Sequence, residues 1–372
     1  MAMPSKTAVS NKEPFVHLTR RRELPWYRAW AIRIAAIIAA MIVSAVVTTL
    51  LTGLDPVGVF KTMADGAFGT SRKVWMLFQE IAILLCVSLA LAPAFRMKFW
   101  NLGGEGQILI GALAAAACML KLGDKLPGGV LVMLMFVASI IFGALWALIP
   151  AVFKAKWNTN ETLFTLMMNY VATQIVAFFV IKWEMPKGSG KIGVINQSTE
   201  SGWLPQLAGQ KYLLNIMIVA AVTVAMFIYM KYSKHGYEIS VVGESQNTAR
   251  YVGIKVERVI IRTLLLSGAI CGLTGMLLVG GTNHTITTTI AGGRGFTAVM
   301  VAWLAKFNPI TMIACSFLLV FMGRGASQIS TTYGLNESFG DILTGIILFF
   351  IIGCEFFINY RINFRRAQGK EA

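Results

Sequence analysis

Apolar residues along this chain gather into ten runs, near positions 29–52, 75–94, 108–122, 129–150, 162–183, 212–231, 259–280, 296–305, 310–327 and 339–358. Runs of about 20 such residues are long enough to cross a hydrocarbon layer roughly 30 Å thick as an α-helix. In lipid the backbone must pair its own polar groups, so runs of this length fold as helices. A β-barrel would show short alternating segments between turns, and the sequence has none. The pattern predicts an all-α fold, a polytopic transmembrane bundle of about ten helices. A polar segment at 1–28 precedes the membrane domain at 29–358, and a polar tail at 359–372 follows it.

An even number of crossings brings both ends out on one side. Arg20, Arg21, Arg22 and Arg28 precede the first run, and Arg361, Arg365, Arg366 and Lys370 follow the last. Because Lys and Arg gather in loops that stay inside, both termini are expected in the cytoplasm. The long basic loop at 231–258 falls on the same side. Lys61, Arg72, Lys73, Lys187, Lys191 and Lys211 lie in loops expected outside, so the rule is clearest at the ends and at 231–258. The first run is longer than the core of a cleaved signal peptide and is read as a retained helix.

Two runs are too short to span alone, 108–122 and 296–305, and each follows a cluster of glycines. Aligned on those glycines, GGEGQILIGALAA (103–115) resembles GGRGFTAVMVAWLA (292–305). If the halves are helices 1–5 and 6–10, each run follows the second helix of its half. Halves with an odd number of helices point in opposite directions. Glycine-broken helices at matching places of a 5+5 inverted repeat point to a solute path near the membrane midplane. The small-residue spacings Gly268 to Gly272 and Ala112 to Ala116 are read as ordinary close helix packing.

Composition narrows the function. The 372 residues are 56% hydrophobic and 13% charged, about half the charged share of a soluble chain, with a net charge of +16. No basic helix with interleaved aromatics accompanies that charge, so the partner is a lipid bilayer rather than nucleic acid. Cys86, Cys118, Cys271, Cys315 and Cys354 all sit in apolar runs without metal-ligand spacing, and His17, His235 and His284 lie far apart. No HExxH or GxSxG pattern occurs, so no catalytic site, metal or cofactor is expected. Gly188-Ser-Gly-Lys-Ile-Gly193 matches GxGxxG only formally, because it lies in a loop rather than after a strand. Any ATP-driven work requires a partner chain.

Polar residues inside apolar surroundings are the candidates for function, since such residues normally face a cavity or one another. Asn101, Glu105 and Gln107 sit at the first glycine break and Arg294 at the second. Glu161, Thr165 and Asn169 recur every four residues and form one stripe. Capping or interfacial hydration is the structural alternative, and Asn101 in particular is placed to cap the helix after it. In the 231–258 loop, residues 245–250 are helix-compatible and polar, and Tyr251 to Ile254 are apolar. A short helix with an apolar face held outside the bilayer suits docking into a groove on another protein.

Three segments resemble permease subunits of bacterial ABC importers in the simple-sugar and nucleoside branch. Phe99 to Gln107 is similar to that family's FNIGGEGQ signature. Asn160-Glu161 through Met168-Asn169-Tyr170 is similar to its NE…MLNY segment, and Val242 to Ile254 to its VGENPxAARYAGI loop. Trp100 intrudes where the pattern has Phe directly before Asn, and Gln246-Asn247 replaces Asn-Pro. The resemblance implies a permease forming half of a channel in the bacterial inner membrane, the longer of two paralogous permeases that pair as a heterodimer. It implies an external binding protein that delivers a nucleoside, or alternatively a sugar, and a separate ATPase. Gly243, Glu244, Asn247, Ala249, Arg250, Tyr251 and Gly253 would couple the chain to that ATPase. An ion-driven secondary transporter is the reading from another class, suggested by the intramembrane carboxylates and broken helices.

Overall fold

The computed structural model describes residues 16–20 and 25–364. Helices α1 (Trp26–Thr52), α2 (Pro56–Phe68), α3 (Ser71–Arg96), α4 (Gly104–Leu122), α5 (Gly128–Trp157), α6 (Glu161–Trp183) and α7 (Leu213–Tyr232) are followed by two short helices, α8 (Lys234–Glu244) and α9 (Gln246–Tyr251). Helix α10 (Val256–Leu278) continues into a π-helical turn, Val279–Asn283. Then come α11 (Arg294–Leu304), α12 (Pro309–Tyr333) and α13 (Glu337–Asn359). Among the described residues, nine helices are long and apolar enough to cross a membrane, and α11 is the shorter apolar one.

Local chemistry sets the boundaries. Thr70, Asn160, Ser233 and Ser245 cap α3, α6, α8 and α9, each accepting from a backbone N–H three residues on. Gly53 and Asn158 end α1 and α5 in the left-handed conformation, where a Cβ is disfavoured.

The chain forms two compact units, one of residues up to Gly66 with those from Gly325 onward, the other Ala67–Arg324. In the first, α1 lies along α13. Strand β1 (Val16–Arg20) pairs antiparallel with β2 (Tyr360–Phe364), from Val16 opposite Phe364 to Arg20 opposite Tyr360. In the second, α10 is the centre, packed on α5, α4 and α3. Most of α10 is buried, whereas α5, α6 and α7 keep an apolar face open, as spans in contact with lipid do. Helices α4, α5 and α10 approach through glycine. A methyl on Gly272 would run into the carbonyl of Ser139, and one on Gly275 into the backbone of Ile108 and Ala112. Small residues are what allow helix backbones this close in a membrane, where dispersion contacts replace the hydrophobic effect.

The structure departs from the sequence expectations in four places. Helix α2 falls where a loop was expected; Pro56 opens it, and Asp55 accepts from the N–H of Gly58 at 2.9 Å. The 108–122 run is not too short to span, because the helix starts earlier, at Gly104, and its 19 residues reach about 28 Å. The 231–258 loop holds two helices rather than one. The otherwise all-α fold carries the β1–β2 ribbon, on segments read as a plain polar end and tail. Four of the basic end residues, Arg21, Arg22, Arg365 and Arg366, and Lys370 lie outside the described residues.

Gly272→Val should lower the thermal midpoint and the yield of folded protein, because overpacking costs about 1–3 kcal/mol or more. Gly193→Ala, at a site with open space around it, should leave both unchanged. Thermal unfolding in detergent measures both.

Candidate functional site

The backbone between α3 and α4 leaves helical geometry inside the bundle, and side chains take over its hydrogen bonds. Asn101, fully buried, donates to Ser267 Oγ at 3.0 Å and accepts from the N–H of Gly103 at 3.1 Å. Thr165 Oγ1 accepts from the N–H of Leu102 at 3.2 Å. Asn169 bridges the break: Oδ1 accepts from the N–H of Gly106 at 2.9 Å, and Nδ2 donates to the carbonyl of Leu102 at 2.8 Å. Gly106 has to be glycine here, since a Cβ would come within 2.9 Å of that same Oδ1. Gln107 Nε2 reaches Asn101 Oδ1 at 3.4 Å, and its Oε1 is buried without a partner.

The second break meets the first. The Glu105 carboxylate accepts from the N–H of Gly293 and of Gly295, each at 2.8 Å, so both its oxygens sit on the N-terminus of α11. The first N–H groups of a helix lack partners and carry partial positive charge, which makes this a favourable place for a carboxylate. Gly295 permits the contact, because a Cβ there would strike the backbone nitrogen of Glu105. At the other end of α11, Trp303 stacks on Trp100 at 5.4 Å and 28°, and Phe95 meets both rings edge-on. Residues 100–105 therefore bracket α11 at both ends. Trp100, a departure from the family motif, supplies one of the two contacts.

The remaining intramembrane candidates fall elsewhere. Glu161 pairs with Lys154 at 2.8 Å, at the facing ends of α5 and α6, apart from the other two members of its stripe. Arg294 turns back on its own chain, donating to the carbonyls of Ile290 and Ala291. Sequence reasoning missed Glu80 and Arg324, which form a two-pronged ion pair: Nε to Oε2 at 2.7 Å and Nη2 to Oε1 at 2.8 Å. The available signal was a lone charge within each of the apolar runs 75–94 and 310–327.

The 234–256 segment is anchored rather than loose. Ile239, Val242, Ala249 and Val256 pack with Ala94, Met97, Phe99, Ala151 and Leu264 into one buried cluster at the ends of α3, α5 and α10. Gly243 lies against the carbonyl of Arg96. Gly243 and Ala249 thus face inward, and Glu244, Asn247, Arg250, Tyr251 and Gly253 face outward. Tyr251 is 92% exposed.

Residues 73–352 match the family model described as branched-chain amino acid transport system / permease component. The chain belongs to this permease family. It is similar to the glucose ABC transporter permease TsgB13 of Haloferax volcanii, 26% identical over 94% of this chain and 93% of that one. It is 28% identical to the guanosine ABC transporter permease NupP of Bacillus subtilis over 85% of this chain and 89% of that one. It is 25% identical to the nucleoside ABC transporter permease NupB of Lactococcus lactis over 82% and 86%. A second guanosine permease of Bacillus subtilis, NupQ, matches over only 65% of this chain. The permease is a multi-pass membrane component of an ABC importer, a transporter rather than an enzyme.

At the opposite end of the permease's α10, the 184–212 loop is stitched to the π-helical turn and the segment after it. Ile195 N–H donates to the carbonyl of His284 at 2.8 Å, Leu204 N–H to Gly280 at 2.9 Å, and Thr285 Oγ1 to Ile192 at 2.7 Å. The rings of Trp203 and His284 stack at 3.8 Å and 11°. Burial, then the charge of Lys211, holds His284 below the usual histidine range, partly offset by Glu200. The glycine loop at 188–190 wraps the chain's own Glu184, whose oxygens accept from the N–H groups of Gly188 at 2.7 Å and Gly190 at 2.8 Å. That nest therefore already holds a carboxylate.

Glu105→Gln should lower the thermal midpoint, because an amide nitrogen would face one of two N–H donors and a charged hydrogen bond of about 1.5–3 kcal/mol would be lost. Glu105→Ala should lower it further. The His284 shift makes its contribution present above the ordinary histidine pKa and lost as pH falls through its lowered value. Wild-type stability should therefore fall on acidification below the ordinary histidine range, and His284→Phe, which keeps the stack, should flatten that dependence in thermal melts across pH.

Proposed function

We propose that this permease forms half of the channel of a nucleoside importer in the bacterial inner membrane, with both termini in the cytoplasm. A second, shorter permease would complete the channel, a separate ATPase would drive it, and an external binding protein would deliver solute. The observation that carries the reading is the outward strip of Glu244, Asn247, Arg250 and Tyr251, mounted on a buried apolar base at one end of the spans. A rigid, exposed strip with an aromatic anchor suits a groove on a partner protein. Gly243 and Ala249 would serve by seating the strip, and Gly253 by the left-handed turn that closes it, at φ +83°.

The two-stranded ribbon supports the orientation. It joins the backbone just before α1 to that just after α13, so these ends lie on one side. The nine long spans among the described residues would by themselves put them on opposite sides, and α11 with the segment leading into it would supply a tenth crossing. The basic end residues then favour the cytoplasm. The stitched 184–212 loop would face the binding protein.

Nucleosides are favoured by NupP and NupB, and the presence of NupP and NupQ in one organism supports a heterodimer in which this chain is the longer member. A sugar is the second reading, favoured by the near full-length match to TsgB13. The solute path would run beside the joined glycine breaks. There Asn101, Glu105, Gln107, Thr165 and Asn169 would shape it by fixing the backbone, with Arg294 at the turn before α11 and Glu161 at the cytoplasmic rim.

Arg250→Ala combined with Tyr251→Ala should cut co-purification with the ATPase at least tenfold and abolish uptake, without lowering the yield of permease. Undiminished association would remove the coupling role. Uptake of labelled guanosine and glucose by the assembled transporter separates the two solute readings.

A further inference from the structure

The Glu80–Arg324 pair stands apart from the glycine breaks. Nine residues separate Glu80 from the start of α3 and nine separate Arg324 from the end of α12, about 14 Å in each case. Both residues lie inside the apolar runs 75–94 and 310–327, Glu80 five residues from the start of one and Arg324 three from the end of the other. Charges inside such runs are expensive against lipid and normally face a water-filled cavity or a polar partner. This pair is not sealed, however: the side chains of Arg324 and Glu80 are 23% and 34% exposed. That exposure leaves the donors and acceptors not used within the pair open to a further polar group.

The surroundings add a surface. Phe317, Phe321 and Arg324 follow one another at helical spacing along one face of α12. The Phe321 ring lies 5.8 Å from that of Phe68 and is stacked on Phe317 at 6.1 Å and 13°. Phe321 also packs against the buried cluster of Ala67, Leu77 and Ile81, which holds it beside Glu80. An aromatic shelf thus runs up to a pair of opposite charges.

The chemistry of such a place is specific. A carboxylate offers about four acceptor sites and a guanidinium five donors, and the pair's mutual bonds use two of each. What remains can accept from one hydroxyl and donate to its neighbour, while the rings take the apolar face of a sugar or base. The pair is neutral as a unit, so it adds no attraction for an ion. Because each charge is already met by the other, a zwitterionic amino acid gains less from the pair than it would from two separate charges.

We propose that Glu80 and Arg324, with the aromatic shelf of Phe321 and Phe317, form a solute-contacting station in the translocation path that takes the vicinal hydroxyls of a neutral sugar or nucleoside. This rests on the importer reading above and adds to it a place of contact and a chemical class.

The test uses the assembled transporter with its ATPase, second permease and binding protein. Phe317→Cys, 39% exposed in the wild type, is probed with a charged, membrane-impermeant thiol reagent. Labelling is expected, and added guanosine or glucose should slow it. Glu80→Gln and Arg324→Gln should each cut uptake about tenfold or more with ATPase co-purification unchanged. The exchange Glu80→Arg with Arg324→Glu should keep the yield without restoring uptake. Full uptake in the exchanged variant would reduce the pair to a clamp and overturn the proposal. Labelling of the isolated permease but not of the assembly would make this face a permease–permease contact, and no labelling in either would make it a lipid face. Both results overturn the proposal, as does competition by leucine as strong as by guanosine. If the wild-type transporter imports neither guanosine nor glucose, the solute reading fails before any variant is made, and the thiol result still decides whether the face is lined by water.

Discussion

A carboxylate seated on two backbone N–H groups holds this permease's interior together. Glycine-broken backbone within a membrane is tolerable only if its polar groups find partners in the protein. Helix α11, with 11 residues, cannot satisfy its own N-terminus, and Glu105 does so with both oxygens at 2.8 Å. The carboxylate is stabilised in turn by the helix end it caps, so a charge that would be costly alone becomes a joint between two broken segments. Asn101, Thr165 and Asn169 do the same for the first break with neutral groups.

This joint lies close to the anchored 234–253 segment. Gly243 rests on Arg96, and Val242 and Ala249 share a buried cluster with Met97 and Phe99. Two residues beyond Phe99 is Asn101, and four beyond Asn101 is Glu105. Under the proposed coupling, a displacement of the 234–253 segment would press first on the end of α3, then on the hydrogen-bonded break, then on α11. Close-packed clusters transmit such strain because they are dense and resist compression. The short connection means that a partner acting on Tyr251 could reach the midregion of the bundle without moving whole helices far.

The apolar runs were legible because spanning helices have a length and a period that lipid imposes, and all ten correspond to helices. Helix α2 was not legible: with Lys61 and Asp65 in 13 residues it is too short and too polar to read as a span. The glycine breaks could be recognised as special from their residues alone. The partner of Glu105 could not, since 188 residues separate it from Gly293. Thr165 and Asn169 of the four-residue stripe reach the break, but Glu161 lies one turn nearer the helix end, where Lys154 claims it. Glu80 and Arg324 were hidden because a single charge hardly changes the average of a 20-residue apolar run. Their meaning appears only once the two side chains are seen to meet between α3 and α12.

The joint at Glu105 is tested most directly by hydrogen exchange of the amides at residues 292–296 in permease reconstituted in lipid nanodiscs. Protection of Gly293 and Gly295 in the wild type, lost in Glu105→Ala while the amides of α10 stay protected, is the predicted result. Rapid exchange at both glycines in the wild type would mean that the carboxylate does not seat α11, and the joined-break account would fail.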